Sequence, residues 1–322
     1  MKKFSLSTWL LFLLPSLAGV ILFMIPLPID GGFQIPIAWL ASLLSALLEP
    51  VVQWLALVTL LIAAVGSTIF LFKPKENTFI NNLFKVTPFW TVTRIVGALF
   101  SILIIWQIGP EAIWSESTGG MLLSPTGLVY FLFTIFLFAG LLLPLLLNFG
   151  LLEFFGTMMV KIMRPLFKLP GRSAVDALTS WVGDGTIGVL LTSRQYEEGY
   201  YTKKEAAIIG STFSVVSITF CIVVLEEVDL GNYFIPYYLT VLLCGVVLAL
   251  IMPRIYPLVG KEDTHIDGRP LDLDTEKLPE NYNVVTHGLE KALNTASKNR
   301  SIGKFFTDGI KNVLICILGL HL

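Results

Sequence analysis

Charged side chains are scarce in this sequence. Only 14% of its 322 residues are Asp, Glu, Lys or Arg, whereas 55% are hydrophobic. A typical soluble domain has about 25% charged residues. The formal net charge is −1, and nucleic-acid binding needs a clustered basic face, so we expect no nucleic-acid partner. The mean hydropathy of +0.77 instead indicates a protein that is embedded in a membrane.

Residues that build metal and redox sites are equally few. The three cysteines lie inside apolar runs without the paired spacing that such sites require, and two of the three histidines lie in a polar segment near the C-terminus. No pairing of a nucleophile with a base is visible either. We therefore expect buried free thiols, no cofactor, no metal and no enzymatic activity.

Apolar runs are what the sequence has in abundance. A membrane-spanning helix needs about 20 apolar residues, and six runs reach or approach that length: Ser7–Ile25, Pro50–Phe72, Ile95–Ile108 (which we expect to begin nearer Pro88), Gly127–Phe149, Ala206–Leu225 and Phe234–Met252. The shorter run Ile35–Leu48 is set apart by Glu49-Pro50 and is interpreted as an interfacial or re-entrant piece. These runs predict an all-α fold, a polytopic membrane helix bundle.

Basic residues predict the orientation of the chain, because cytoplasmic loops are enriched in Lys and Arg. Lys2 and Lys3 place the N-terminus in the cytoplasm, and every later loop agrees with that assignment. Basic residues stand on both sides of the segment 173–193, which must therefore cross the membrane an even number of times. Two full spans do not fit into so few residues, so we predict a re-entrant hairpin of broken helix.

Two stretches look less membrane-like. Leu151–Leu169 carries Lys161, Arg164 and Lys168 on one helical face, which predicts an amphipathic helix in the cytoplasmic interface with its basic side chains at lipid headgroups. A plain connector with snorkelling lysines is the alternative. Gly260–Arg300 is polar and poor in aromatic residues, and it is interpreted as a mobile cytoplasmic linker.

The predicted organisation follows from these segments. It comprises N-terminal membrane helices (1–150), the interfacial helix (151–170), a region with the hairpin and two spans (171–253), a cytoplasmic polar linker (254–308) and the start of a further span (309–322). The last segment is too short to cross a bilayer. We expect it to be truncated rather than folded back along the membrane.

The hairpin carries the first group of candidate binding residues, Gly183, Asp184, Gly185 and Thr186, at its tip. The spacing G-x-G-x-x-G also occurs in dinucleotide-binding folds, but these need a preceding strand, which is not predicted here. Glycines at the tip let the backbone turn sharply and present amide groups at the start of a half-helix to a ligand. Alternatively, Asp184 or Thr186 simply caps that half-helix.

A second group of candidate residues lies beside the tip. Asp176 and Ser180 share a face of the first half-helix, and a carboxylate in a membrane segment usually serves a function. An ion pair between Asp176 and Arg172 is the alternative. The next span carries a stripe of serines: Ser211, Ser214 and Ser217. These hydroxyls either line a solute path or let helices pack closely.

The stretch Met163–Phe220 resembles the Gate, or nucleoside-recognition, family of membrane proteins, and within it the bacterial YjiH-like branch. Pro170-Gly171 precedes the hairpin, the glycine-rich break follows, and QYEEGYYT at 195–202 leads into the serine-rich span. The resemblance implies a domain shared with concentrative nucleoside transporters, spore-maturation proteins and a ferrous-iron transporter. YjiH-like relatives are longer than this chain.

The resemblance and the residues together predict a solute transporter of the bacterial inner membrane, with several spans and the hairpin near the solute path. The solute would be a nucleoside or a related small molecule. The other partners would be membrane lipids and a second copy of the chain in a homo-oligomer. The alternative is a membrane scaffold or assembly protein that transports nothing, as the spore-maturation proteins suggest.

Overall fold

A computed structural model describes residues 4–29, 32–73, 78–115, 117–123, 128–183, 185–213, 221, 225, 230–273, 278–279, 282–299 and 302–319. The chain forms two compact units. One consists of Met1–Pro36 and Leu143–Ile302, and the other of Ile37–Leu142 and Gly303–Leu322. Both are built almost entirely of helices, which satisfy every backbone hydrogen bond within one segment and thus suit a chain this apolar.

The first unit contains the hairpin and the segments around it. Its longer helices, in chain order, are α1 (Leu6–Met24), α2 (Leu151–Phe167), α3 (Ser173–Leu178), α4 (Gly185–Glu197), α5 (Lys203–Thr212), α6 (Phe234–Ile251) and α7 (Val284–Lys298), and a π-helical turn, Thr179–Gly183, continues α3. A short helix, Pro144–Leu147, precedes α2. The strands Leu27–Ile29 and Gly32–Gln34 pair antiparallel after α1, a feature that the sequence did not predict.

The second unit is a bundle of apolar helices. Its helices are Pro36–Leu47, Glu49–Phe72, Thr78–Phe84, Pro88–Ile105, Glu111–Trp114, Gly119–Leu123, Leu128–Leu142 and Ile302–Leu314, followed by a π-helical turn, Ile315–Gly319. Proline lies in the first turn of three of them, Pro36–Leu47, Glu49–Phe72 and Pro88–Ile105, where its missing N–H costs nothing. The helix break at Glu49-Pro50 and the helix start at Pro88 therefore agree with the sequence prediction.

Within the described residues, four helices are long and apolar enough to cross a membrane: Leu6–Met24, Val51–Phe72, Pro88–Ile105 and Phe234–Arg254. Each coincides with a run that the sequence predicted as a span. The predicted run Gly127–Phe149 is broken near Leu143, and Leu132–Leu147 together with Leu151–Phe167 passes the same test only as a bent pair. The predicted span Ala206–Leu225 begins in α5, and most of it beyond Phe213 lies outside the described residues.

The range interpreted as a polar linker contains an ordered helix. Helix α7 buries Gly288, Ala292 and Ala296, which recur every four residues along one face. Small residues at this spacing let two helices approach closely, and α7 packs on α2 and on Phe12 of α1. The polar composition of this range describes the exposed face of α7, while the buried face needs only three small side chains and Leu293 to pack.

Candidate functional site

Helices α3 and α4 fold back on each other as a hairpin. The hydroxyl of Thr192 donates to Asp176, and a Cβ added to Gly188 would lie 1.8 Å from Oγ of Ser180. These two pairs lie symmetrically about position 184, eight residues away on either side in the first pair and four in the second. This register identifies α3 with its π-helical turn, which ends at Gly183, and α4, which begins at Gly185, as antiparallel arms.

The glycines of the arms allow close packing. A Cβ on Gly183 would lie 2.1 Å from the carbonyl oxygen of Phe23, at the end of α1, which is far inside van der Waals contact. Gly188 is required in the same way by Ser180 of the opposite arm. At these two positions the small side chain therefore lets other backbone and side-chain atoms approach, and neither glycine needs a ligand to explain it.

Asp176 joins the two arms at the base of the hairpin. Its side chain is 1% exposed. One carboxylate oxygen, Oδ2, accepts a 2.8 Å hydrogen bond from Thr192 Oγ1, and the other, Oδ1, accepts a 2.7 Å bond from Gln195 Nε2. A buried carboxylate is strongly unfavourable without such partners. The two bonds therefore compensate part of that cost and fix the spacing of the arms.

Arg172 extends this network away from the hairpin. Its Nε donates to Gln195 Oε1 at 3.0 Å, its Nη1 lies 3.4 Å from Glu153 Oε1 on α2, and its guanidinium carbon lies 3.7 Å from the ring centroid of Tyr200. Gln195 thus accepts from Arg172 and donates to Asp176, an arrangement that determines the orientation of its amide. Asp176 and Arg172, which the sequence suggested as a direct ion pair, interact through Gln195.

Close backbone packing holds α2 against the start of the hairpin. A Cβ on Gly171 would lie 1.9 Å from the carbonyl oxygen of Gly156, and a Cβ on Gly156 would lie 2.7 Å from Cγ of Arg172. A cavity of about 100 Å³ opens beside this contact and is lined by Glu153, Arg172 and Lys291, among others. In the described part of the chain, Glu153 Oε2 is buried there without a hydrogen-bond partner. The cavity is large enough to admit water.

A second buried carboxylate lies at the start of α5. Glu205 is 2% exposed and pairs with Arg164 of α2. It also accepts from the backbone N–H of Thr202, whose hydroxyl accepts from the N–H of Glu205, so the two residues form a capping box. The Thr202 hydroxyl donates in turn to Asp263 at 2.8 Å. This cluster fixes α2, the start of α5 and the segment after α6 to one another.

The structure brings some of the predicted binding residues together. Asp176, Ser180 and Gly183 are buried in the first arm, and Gly185 and Thr186 begin the second arm half-buried. Ser211 is exposed, and its hydroxyl donates to the carbonyl of Ala207 in its own helix at 2.6 Å. Three predicted residues lie outside the described part of the chain: Asp184, Ser214 and Ser217.

The partners of Asp176 were not predicted from the sequence. Thr192 and Gln195 stand three residues apart on one face of α4, and Tyr201 is fully buried with its hydroxyl near the Asp176 carboxylate. A usable signal was present, because folding the segment about position 184 places residue 192 opposite residue 176. The position of Tyr201, beyond the end of α4, has no comparable signal in the sequence.

The contact between Gly183 and Phe23 predicts the effect of one added methyl group. We expect Gly183→Ala to lower the free energy of unfolding by about 1–3 kcal/mol, because the backbone of α1 must move. Gly210→Ala is the matched control, since a Cβ there meets nothing within 4 Å, and it should stabilise its helix by up to about 1 kcal/mol. Unfolding of the detergent-purified protein measures both, and equal effects would contradict the close approach of α1.

Comparison with known proteins places the hairpin inside a described domain. Residues 129–231 match the family described as Gate, nucleoside recognition. An uncharacterized protein of Alkalihalophilus pseudofirmus is 45% identical over 313 residues, which cover 96% of this chain and 67% of that protein. No solved structure matches the chain. The hairpin and all the contacts of Asp176 lie within the matched residues.

Proposed function

The chain belongs to the Gate (nucleoside recognition) family, and from this premise we propose that it is a solute transporter with several spans in the bacterial inner membrane. The solute is a nucleoside or a related small molecule, and it binds at the tip of the hairpin formed by α3 and α4. The protein carries out no chemical reaction on the solute. Its four apolar helices of spanning length support the membrane location.

The length of the hairpin supports a re-entrant arrangement. The first arm, residues 173–183, is about 16 Å long at 1.5 Å per residue, and the hydrocarbon core is about 30 Å thick. Both ends of the hairpin carry basic residues, Arg172 on one side and Lys203 and Lys204 on the other. By the positive-inside rule these ends, like the N-terminus, lie in the cytoplasm, and the tip then reaches the middle of the bilayer.

The observation that carries the proposal is the network around Asp176. Its hydrogen bonds hold the arms together at the cytoplasmic end, where the small cavity beside Glu153 gives access to water. At the other end the first arm ends at Gly183, and α4 begins at Gly185. Backbone N–H groups of the first turn of a helix lack partners within that helix. They are suited to donate hydrogen bonds to the hydroxyl and carbonyl oxygens of a nucleoside.

Uptake by reconstituted protein tests the proposal. Proteoliposomes are loaded with purified protein, and the uptake of radiolabelled uridine, cytidine, adenosine and guanosine is measured with the unmodified protein, with Asp176→Asn and with Asp267→Asn. The last variant makes the same chemical change at an exposed carboxylate outside the hairpin. We expect uptake of at least one nucleoside by the unmodified protein and by Asp267→Asn, and at least a tenfold loss in Asp176→Asn.

Two outcomes would contradict the proposal. Uptake that is unchanged in Asp176→Asn would remove the hairpin network from the transport mechanism. The absence of uptake with all four nucleosides, together with the absence of any thermal stabilisation by them, would remove the nucleoside as the solute. A ligand at about 100 times its Kd stabilises a protein by about 2.7 kcal/mol, so binding would be visible in thermal unfolding. The second outcome would favour the scaffold function.

A further inference from the structure

A larger cavity lies away from the hairpin, between α2 and the part of the chain that runs from the end of α6 to the start of α7. Its volume is about 510 Å³, within the range of about 300–1,000 Å³ that small-molecule sites occupy. One wall is the basic face of α2, with Lys161, Arg164 and Lys168 at its end. The lining also has an apolar part, which includes Leu273, Leu278 and Val284.

The basic wall is suited to a ligand with more than one negative charge. The guanidinium of Arg164 is held in place by its ion pair with Glu205. Lys161 and Lys168 are exposed, and none of the ion pairs between described residues uses their ammonium groups. The carboxylate of Asp263 also lines the cavity, but it already accepts from Thr202 and lies 3.8 Å from the ammonium of Lys204. Among the described residues that line the cavity, Lys161 and Lys168 are therefore the cations suited to contact an anion.

Two leucines of the apolar part of the lining are exposed. Leu273 is 53% exposed and Leu278 is 38% exposed, although both line the cavity. Burying such surface is favourable by about 25 cal/mol per Å². A small hydrated anion would leave these leucines in water, whereas an anion with an apolar body would cover them. The cavity thus combines cationic and apolar side chains in one lining.

We propose that this cavity binds a phosphate ester with an apolar body, whose phosphate contacts Lys161 and Lys168 and whose body lies on Leu273 and Leu278. The sequence had suggested that the basic face of α2 reaches lipid headgroups directly. In the structure, residues that follow α6 line the same cavity as these cations. Two sources of such a ligand share this chemistry, a phosphate joined to an apolar body. One is a soluble ester, and the other is a phospholipid headgroup with its first methylene groups. The proposal does not depend on transport by the hairpin.

Binding to the full-length protein in detergent tests the site. The probes are adenosine 5′-monophosphate as a soluble ester, dihexanoyl phosphatidic acid as a lipid ester and inorganic phosphate as the anion alone, and Kd is measured by isothermal titration calorimetry. We expect at least one ester to bind about tenfold or more tightly than inorganic phosphate, because only an ester covers the apolar part of the lining. The ester that binds more tightly identifies the source of the ligand.

Matched variants assign the binding to the cavity. Lys161→Gln/Lys168→Gln should weaken the bound ester by roughly tenfold or more, because the charge-assisted hydrogen bonds are lost. Lys261→Gln/Lys298→Gln removes the same charge from exposed positions outside the cavity and should leave Kd unchanged. Leu273→Gln/Leu278→Gln, at exposed positions that the fold does not need, should weaken the ester and leave inorganic phosphate unaffected.

Three outcomes would overturn the proposal. The first is that neither ester binds. The second is equal weakening by the two double lysine variants, since this would indicate a general charge effect. The third is inorganic phosphate binding as tightly as both esters. Asp176→Asn is included as a further control: it should leave the Kd of the ester unchanged even if it abolishes nucleoside uptake, so that the failure of one proposal is distinguishable from the failure of the other.

Discussion

Asp176→Ala is expected to lower the free energy of unfolding by about 2–4 kcal/mol. Without the carboxylate, the amide N–H of Gln195 that now donates to Oδ1 is left buried and unsatisfied, and such a group costs about 1–3 kcal/mol. The variant also removes the electrostatic attraction between the Arg172 guanidinium and the Asp176 carboxylate. The hydroxyl of Thr192 contributes little to the loss, because it can still donate to the carbonyl of Gly188, which lies 2.9 Å away.

Asp176→Asn separates the hydrogen bonds from the charge. The asparagine oxygen can accept from Gln195, and its amide nitrogen can donate to Thr192, whose own proton then points to Gly188. We therefore expect this variant to lower the free energy of unfolding by less than about 1 kcal/mol, although it should lose uptake. Unfolding by sodium dodecyl sulfate in mixed micelles measures the loss of stability in Asp176→Ala and in Asp176→Asn. The exposed control is Asp267→Ala, whose free energy of unfolding should change by no more than about 0.5 kcal/mol.

The pair of Asp176 variants has outcomes that would contradict the network. Equal losses for alanine and asparagine would mean that the charge, and not the hydrogen bonds, stabilises the hairpin. A loss for Asp176→Ala no larger than that for Asp267→Ala would mean that the carboxylate does not hold the arms together. In either case the geometry at the base of the hairpin would need another explanation.

Arg164→Met is expected to lower the free energy of unfolding by about 3–5 kcal/mol. The variant leaves Glu205, which is 2% exposed, as a buried charge without its cation, and breaking a buried pair in this way is strongly destabilising. The double variant Arg164→Met/Glu205→Gln removes both charges and keeps the capping box, because glutamine can take the place of glutamate there. The double variant should therefore recover most of the free energy of unfolding that Arg164→Met loses.

The pH dependence of Arg164→Met provides a second measurement. Burial raises the pKa of Glu205 above its ordinary value, and Arg164 opposes that rise. In the variant the opposition is gone, so the pKa of Glu205 in the folded state lies further above its pKa in the unfolded state. Stability must then increase as the pH is lowered toward the ordinary range of a carboxyl group. Two results would contradict this account. The first is a loss of stability in Arg164→Met that does not depend on pH, and the second is a double variant that is no more stable than Arg164→Met.

Much of the fold was predictable from local properties of the sequence. Hydropathy alone located the four helices of spanning length, and proline placed the starts of Glu49–Phe72 and Pro88–Ile105. The glycines at 183 and 185 predicted the turn about which the hairpin folds. The even number of crossings and the side of the membrane follow from the basic residues and remain predictions that the positive-inside rule supports.

The site was predictable only in part. Asp176 stood out because a carboxylate in an apolar segment needs a partner, but the nearest cation in the sequence, Arg172, is not the group that it contacts. Its partners Thr192 and Gln195 come from the opposite arm, and their alignment depends on the position of the turn. Ser211 shows the converse, because a hydroxyl in a helix can bond the carbonyl four residues earlier and need not face a path.

The sequence by itself determined the membrane character, the positions of the long apolar helices and the break at the tip of the hairpin, because hydropathy and helix-breaking residues act on their immediate surroundings. The tertiary structure decided which groups meet: Gln195 with Asp176, Arg164 with Glu205, and α7 with α2. These contacts join residues that are 19 or 41 positions apart, or further. Their free energy is gained only when separate helices pack, so composition and periodicity within one segment do not reveal them.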